Sequence, residues 1–233
     1  MQALSPEHSS VYLKLNPTWH VEDSAWKAGY ILKMLEKNGI KPSSILDVGC
    51  GVGEVLSQVS SRLPQPAVCE GYEMAGDAYL EAVKRQKDGL SYFQGDAFQT
   101  AKKYDLLVMI DVFEHVEDCF SFLKKAAEKA TYKLYHIPLD ISVYAVIINN
   151  FKYVRVPGGH INYYTKATAL ATLQETGHEI VDWFYTPGAL EVNNKNLGLK
   201  GSTVNFFRRL LYKMNKDAGA KYFGGFSLMV LTK

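Results

Sequence analysis

Hydrophobic positions along this chain alternate between short unbroken runs and longer stretches with helical spacing. The acids Glu22 and Asp23 and then Ser24 precede Trp26, Tyr30, Ile31, Met34 and Leu35, a stripe along one helix face that stops near Asn38-Gly39. Ile45, Leu46 and Val48 form a run short enough for a buried parallel strand, and Val55, Val59 and Leu63 resume helical spacing in a helix to about Arg62. The pattern repeats, predicting a strand from Ala67 to Tyr72, a helix from about Asp77 to Lys87 and a strand from Leu90 to Gln94. Tyr104 to Ile110 is almost wholly apolar, as expected of a central strand covered on both faces. A helix from about Phe120 to Lys129, a strand from Thr131 to Ile137 and a helix capped by Thr165 and stopped by Gly177 follow. Strands Glu179 to Tyr185 and Phe226 to Leu231 complete seven. Strands separated by helices predict an α/β, doubly wound sheet. Residues 139–164 and 187–222 break the rhythm and read as insertions in a single domain spanning 1–233, with residues 1–39 as an N-terminal cap.

One stretch carries candidate chemistry. Ser44 to Glu54 passes from an apolar run through Gly49, Gly51 and Gly53 into a helix start, the order of a nucleotide-binding turn. Glycine suits a turn that needs positive φ and lets a ligand reach the backbone. A dinucleotide turn reads G-x-G-x-x-G, but here the third glycine is one residue early and its place is taken by Glu54. A carboxylate there repels a pyrophosphate and tolerates a ligand with a positive centre.

The stretch resembles motif I of the class I S-adenosylmethionine-dependent methyltransferases, D-x-G-x-G-x-G, met by Asp47, Gly49, Gly51 and Gly53. The resemblance implies a Rossmann-like sheet of order 3-2-1-4-5-7-6, its last strand antiparallel, binding S-adenosyl-L-methionine at the strand ends. It also implies a set of cofactor contacts: Asp47, Gly49, Cys50, Gly51, Gly53, Glu73, Met74, Asp96, Ala97, Asp111 and Val112. Glu73 lies 26 residues beyond Asp47, at the end of the second strand, where a carboxylate accepts from both ribose hydroxyls. Glu70 is its nearby competitor, set aside because Glu73 directly follows the apolar run. Asp96 and Ala97 match the adenine position: carboxylate to the exocyclic amine, backbone N–H to a ring nitrogen. Asp111-Val112-Phe113-Glu114-His115 resembles motif IV in its D-x-x-E-H form. No Asn/Asp-Pro-Pro-Tyr follows the fourth strand, which disfavours a nucleobase or glutamine amide as acceptor.

On the acceptor side the candidate catalytic residues are His115, His136, His160 and Tyr164, with Tyr163 beside the last. The Gly-His-x-x-Tyr-Tyr-Thr run holding His160 resembles a border of the acceptor pocket in small-molecule methyltransferases. Trp19, His20 and Trp26 read either as a cover over the cofactor or as anchors of a docked helix. Arg208, Arg209, Lys213 and Lys216 in the amphipathic stretch 204–216 read either as a solvated face or as a lid for an anionic group.

Composition narrows the classes. The 233 residues are 47% hydrophobic and 21% charged with a net charge of +2, which removes a global attraction to nucleic acid. Three cysteines without paired spacing suggest neither disulfides nor zinc, no metal ligands are assigned, and a reducing cytoplasm is expected. No run has the length of a membrane span, and Met1 to Pro6 lacks a signal-peptide pattern. The expected partner is a small-molecule acceptor methylated at oxygen, nitrogen or carbon; the oligomeric state stays open. The alternatives are a catalytically silent cofactor-binding scaffold and a nicotinamide oxidoreductase, the latter disfavoured by Glu54.

Overall fold

The computed structural model of the protein describes residues 21–65, 67–156, 158–192 and 198–233; Trp19, His20 and Pro157 lie outside them. Helix α1 (Val21–Lys37) precedes strand β1 (Ser44–Val48), followed by α2 (Glu54–Arg62), β2 (Val68–Glu73), α3 (Gly76–Val83) and β3 (Leu90–Gln94). Then come β4 (Tyr104–Ile110), α4 (Cys119–Ala127) and β5 (Ala130–Pro138). The first insertion forms two short helices, α5 (Val143–Ile147) and α6 (Phe151–Arg155), before α7 (Lys166–Glu175) and β6 (Ile180–Thr186). The second forms α8 (Gly188–Glu191), α9 (Leu199–Met214) and α10 (Lys216–Phe223), ahead of β7 (Ser227–Thr232).

The seven strands lie in the order β3-β2-β1-β4-β5-β7-β6. The β1–β2, β2–β3, β1–β4 and β4–β5 pairs are parallel, and β7 runs antiparallel to both neighbours. Order and direction are those expected from the resemblance. Because side chains alternate across a strand, β4 divides its apolar residues between two layers. Leu107 and Met109 join Phe113, Phe122, Leu123 and Tyr135 on one face. Leu106 and Val108 join Ile31, Met34, Leu56 and Val59 on the other, beneath α1 and α2. Both faces being covered explains why β4 reads as an unbroken apolar run.

Two helices end or begin elsewhere than expected. α3 stops at Val83 rather than Lys87 because Lys87 and Leu90 exchange backbone hydrogen bonds of 3.1 and 2.8 Å, closing a turn into β3. α4 starts one residue earlier than predicted because the Asp118 carboxylate accepts from the Ser121 N–H and fixes its N-terminus, and it ends at Ala127. Thr165 caps α7 as its sequence predicts, in a reciprocal box with Thr168. No helix among the described residues is long and apolar enough to cross a membrane.

Candidate active site at the strand ends

β1 and β4 are neighbours, yet their following connections pass to opposite sides of the sheet, opening a crevice at their carboxyl ends. The glycine turn lines it. Gly49, Gly51 and Gly53 all have positive φ, at 72°, 55° and 78°. A Cβ on Gly49 would lie 2.9 Å from Val112, and one on Gly53 would lie 2.6 Å from the Tyr92 ring. Gly51 differs: a Cβ there meets nothing within 4 Å, so its backbone borders open space a ligand can enter. Cys50 is buried behind the turn, where burial raises its thiol pKa.

Glu73 reaches this space from the end of β2. Its carboxylate accepts from the Gly51 N–H at 2.9 Å and from the Ala75 N–H at 2.8 Å. Burial raises its pKa, while backbone N–H groups of Ala75, Gly51 and Met74 pull it back. Glu70 points elsewhere, to Lys102 at 2.5 Å and the Tyr104 hydroxyl at 2.5 Å. Asp47, buried at the end of β1, is pushed up to about 7 by burial and by the negative charge of Glu73. Two carboxyl groups that feel each other's charge favour a cationic ligand. Asp96 caps the turn Ala97–Gln99, accepting from the Phe98 N–H at 2.9 Å, with Ala97 buried beside it.

Glu54 corrects the sequence reading. It bonds Arg85 at 2.6 Å and Gln58 at 2.8 Å, which hold its carboxyl below the usual range. Its charge is thus locally neutralised, and repulsion of a phosphate rests on Asp47 and Glu73 more than on Glu54.

Directly after β4 comes Asp111, whose φ of 55° is rare outside glycine. Its carboxylate meets Lys27 of α1 at 2.8 Å and His136 Nδ1 at 2.6 Å. Burial opposes the charge, but His136 and Lys27 outweigh it and hold Asp111 well below the ordinary range. His136 Nε2 meets the Thr186 hydroxyl at 2.8 Å. Both of its ring nitrogens are therefore engaged by Asp111 and Thr186, so neither is turned free toward an acceptor as the sequence reading expects. Nor is Tyr164 a pocket residue: it is buried against Phe113, and its hydroxyl faces Cys119 Sγ at 3.8 Å. That position suits packing, and burial raises its pKa. Tyr163 is half-buried with its ring on Phe151.

His115 and His160 do come together, their ring centroids 4.9 Å apart. Asp140 bonds His160 Nδ1 at 2.8 Å. Burial and His160 lower the His115 pKa. Glu114 between them and the core is fully buried, and neither carboxyl oxygen has a hydrogen-bond partner among the described residues. Burial and the Asp111 charge hold its carboxyl well above the usual range. Asp140 also borders a cavity of about 400 Å³ between the insertions, lined by Tyr144, Asn150, Gly188 and Arg208.

Trp26 is an anchor: its indole N–H donates to Glu191 at 2.7 Å, as does the Tyr30 hydroxyl at 2.8 Å. Arg208 is neither a solvated charge nor a lid. Buried, it donates to the carbonyls of Gly224 at 2.8 Å and Phe223 at 3.0 Å and to the Asn205 side chain. Sequence reasoning missed Lys27, Thr186 and Asp140, whose partners are remote in the chain. Glu114 stands inside the D-x-x-E-H motif, where no local signal in the sequence marks its carboxyl as lacking partners.

The methyltransferase domain family matches residues 19–182. A ubiquinone biosynthesis O-methyltransferase from Actinobacillus pleuropneumoniae is 26% identical over 163 residues, covering 60% of this chain and 68% of the relative. Among solved structures, magnesium protoporphyrin IX methyltransferase from Synechocystis PCC 6803 with bound SAH superposes with a TM-score of 0.59 at 15% identity, covering 89% of this chain and 82% of that one. A methyltransferase in complex with the Haloferax volcanii Trm112 activator superposes with a TM-score of 0.67 at 13% identity, covering 99% and 98%. With most of its length inside that match and its strand order reproduced, this chain belongs to the methyltransferase domain family.

Proposed function

We propose that the protein transfers a methyl group from S-adenosyl-L-methionine to an oxygen atom of a small-molecule acceptor. Bound S-adenosylmethionine would supply the activated methyl on its sulfonium. The residues fit such a ligand: Glu73 for the ribose hydroxyls, Asp96 for the adenine amine, the open face of Gly51 against the chain, and Asp47 opposite positive charge. Asp111, shared between Lys27 and His136, holds the far wall of the crevice. The observation that carries the reading is the Glu73 carboxylate fixed by two backbone N–H groups beside a glycine that faces empty space.

Oxygen as the acceptor atom is supported by the O-methyltransferase names of relatives and by two histidines, His115 and His160, on the acceptor side. A hydroxyl must lose its proton during transfer, and a neutral imidazole within reach contributes roughly 10²–10⁴-fold. The cavity of about 400 Å³ beside Asp140 is of small-molecule size.

Calorimetric titration with S-adenosylhomocysteine tests the cofactor half. Replacing Glu73→Ala removes two charge-assisted bonds of about 1.5–3 kcal/mol each, a loss of at least 10²-fold in affinity. An unchanged affinity overturns the Glu73 assignment, and no binding to the wild type overturns the cofactor reading; binding without transfer to any acceptor favours the silent scaffold. Labelled methyl transfer to a panel of hydroxylated and amine acceptors tests the rest; label in amines alone overturns the oxygen assignment.

A further inference from the structure

Glu114, His115 and His160 each offer one ligand atom, all within 4.8 Å of one another. We propose that these three side chains bind a divalent first-row transition-metal ion at the acceptor side of the crevice. Glu114 supplies the main argument. It is fully buried, and neither oxygen has a hydrogen-bond partner among the described residues, although a carboxyl group so placed costs free energy unless something satisfies it. The two imidazoles are the neighbours that share an ion with it, and their side chains are 21% and 16% exposed, so an ion could enter from their side.

The surroundings hold the set in place. Glu114 and His115 sit in one tight turn, Phe113–His115. The His160 loop is tied to that turn: the Ile161 and Asn162 N–H groups donate to the Glu114 carbonyl at 2.8 and 2.9 Å. The Asn162 amide adds a bond to the Val116 carbonyl at 2.8 Å. Asp140 accepts from His160 Nδ1, leaving Nε2 as the nitrogen with a lone pair; a carboxylate behind a histidine is the outer support that metal-bound imidazoles use. Donors around a tetrahedral ion with bonds of roughly 2.0–2.1 Å stand about 3.4 Å apart, so the widest donor pair, at most 4.8 Å apart, closes by up to about 1.4 Å on loading.

The donor set also selects the ion. Two imidazoles with one carboxylate suit Mn²⁺ through Zn²⁺ better than Mg²⁺ or Ca²⁺, which prefer oxygen. Three protein ligands would leave coordination positions open to oxygen donors, and a hydroxyl bound there would give up its proton more readily, so in the loaded protein His115 and His160 would act as ligands and not as the base itself. The link to a methyl acceptor rests on the methyltransferase reading above; the binding of the ion does not.

Tag-free protein titrated with Co²⁺ is expected to develop visible d–d absorption saturating at one equivalent, displaced by Zn²⁺ and little affected by Mg²⁺. Glu114→Gln and His160→Gln should each weaken Co²⁺ binding at least tenfold, and Asp140→Asn by 10–100-fold. His160→Gln, on a loop, keeps the test usable if Glu114→Gln misfolds, and metal-free thermal melts report which variants fold. Absence of stoichiometric Co²⁺ uptake by the wild type, or uptake undiminished in folded His160→Gln, overturns the site. Co²⁺ binding without S-adenosylhomocysteine binding in parallel calorimetry would sink the cofactor reading and leave the metal site standing.

Discussion

The two halves of the crevice are built differently. On the β1–β2–β3 side, site groups are held by backbone N–H groups: Glu73 by Gly51 and Ala75, Asp96 by Phe98. On the β4–β5 side they are held by side chains of other elements: Asp111 by Lys27 and His136, His160 by Asp140, Trp26 by Glu191. The surface differs too. Val146, Ile147, Tyr153 and Val156 of the first insertion and Phe206, Phe207, Leu210 and Met214 of the second are all exposed. A backbone-built site depends on turn geometry, which glycine spacing encodes; a site built from remote side chains tolerates many sequences.

The contrast is broken most severely at Asp47. Its folded pKa of about 7 lies above the ordinary carboxylate value, so the empty protein holds this proton more tightly than the unfolded chain does. The stability it contributes is complete below pH 4 and is lost as pH rises through 7. Asp47→Asn carries no such charge, so its stability relative to wild type should grow by roughly 3 kcal/mol between pH 4.5 and pH 8. Urea melts at the two pH values measure this. Saturating S-adenosylmethionine, whose positive charge offsets the carboxylate, should narrow the gap, and a pH-independent difference would remove Asp47 from the charged wall.

That carboxylate explains what sequence could and could not provide. Asp47, the three glycines, Glu73 and Asp96 lie at strand ends that hydrophobic runs mark out, so their places followed from local pattern. The strand order came from the family resemblance, since no local signal tells β7 to insert between β5 and β6. His136 and Tyr164 sit differently from expectation for one reason. Both are polar residues near the crevice in sequence, but Thr186 and Cys119, 50 and 45 positions away, decide where their polar atoms point. Glu114 was legible as a motif letter, yet its missing partners exist only in three dimensions.

Arg208 sharpens the contrast at intermediate size. Three of its bonds go to groups on α9 and at the Phe223–Gly224 end of α10, joining the second insertion to the segment entering β7. Arg208→Met keeps the aliphatic bulk and abandons buried carbonyls, each costing about 1–3 kcal/mol when left unpaired. A loss of roughly 2–4 kcal/mol in chemical denaturation is expected; a loss below 0.5 kcal/mol would mean the insertion is held by apolar packing alone.

The smallest effect belongs to the neighbouring position. Arg209 shares the charge and the helix with Arg208 but faces solvent, and sequence alone treats the two alike. Arg209→Glu should change stability by less than about 0.5 kcal/mol, as surface substitutions do. It should also leave acceptor KM unchanged, because the charge pair 208–209 splits into one structural tie and one solvated side chain. A rise in KM with folding intact would return the exposed part of this helix to the acceptor site, and the insertion would then contribute binding as well as enclosure.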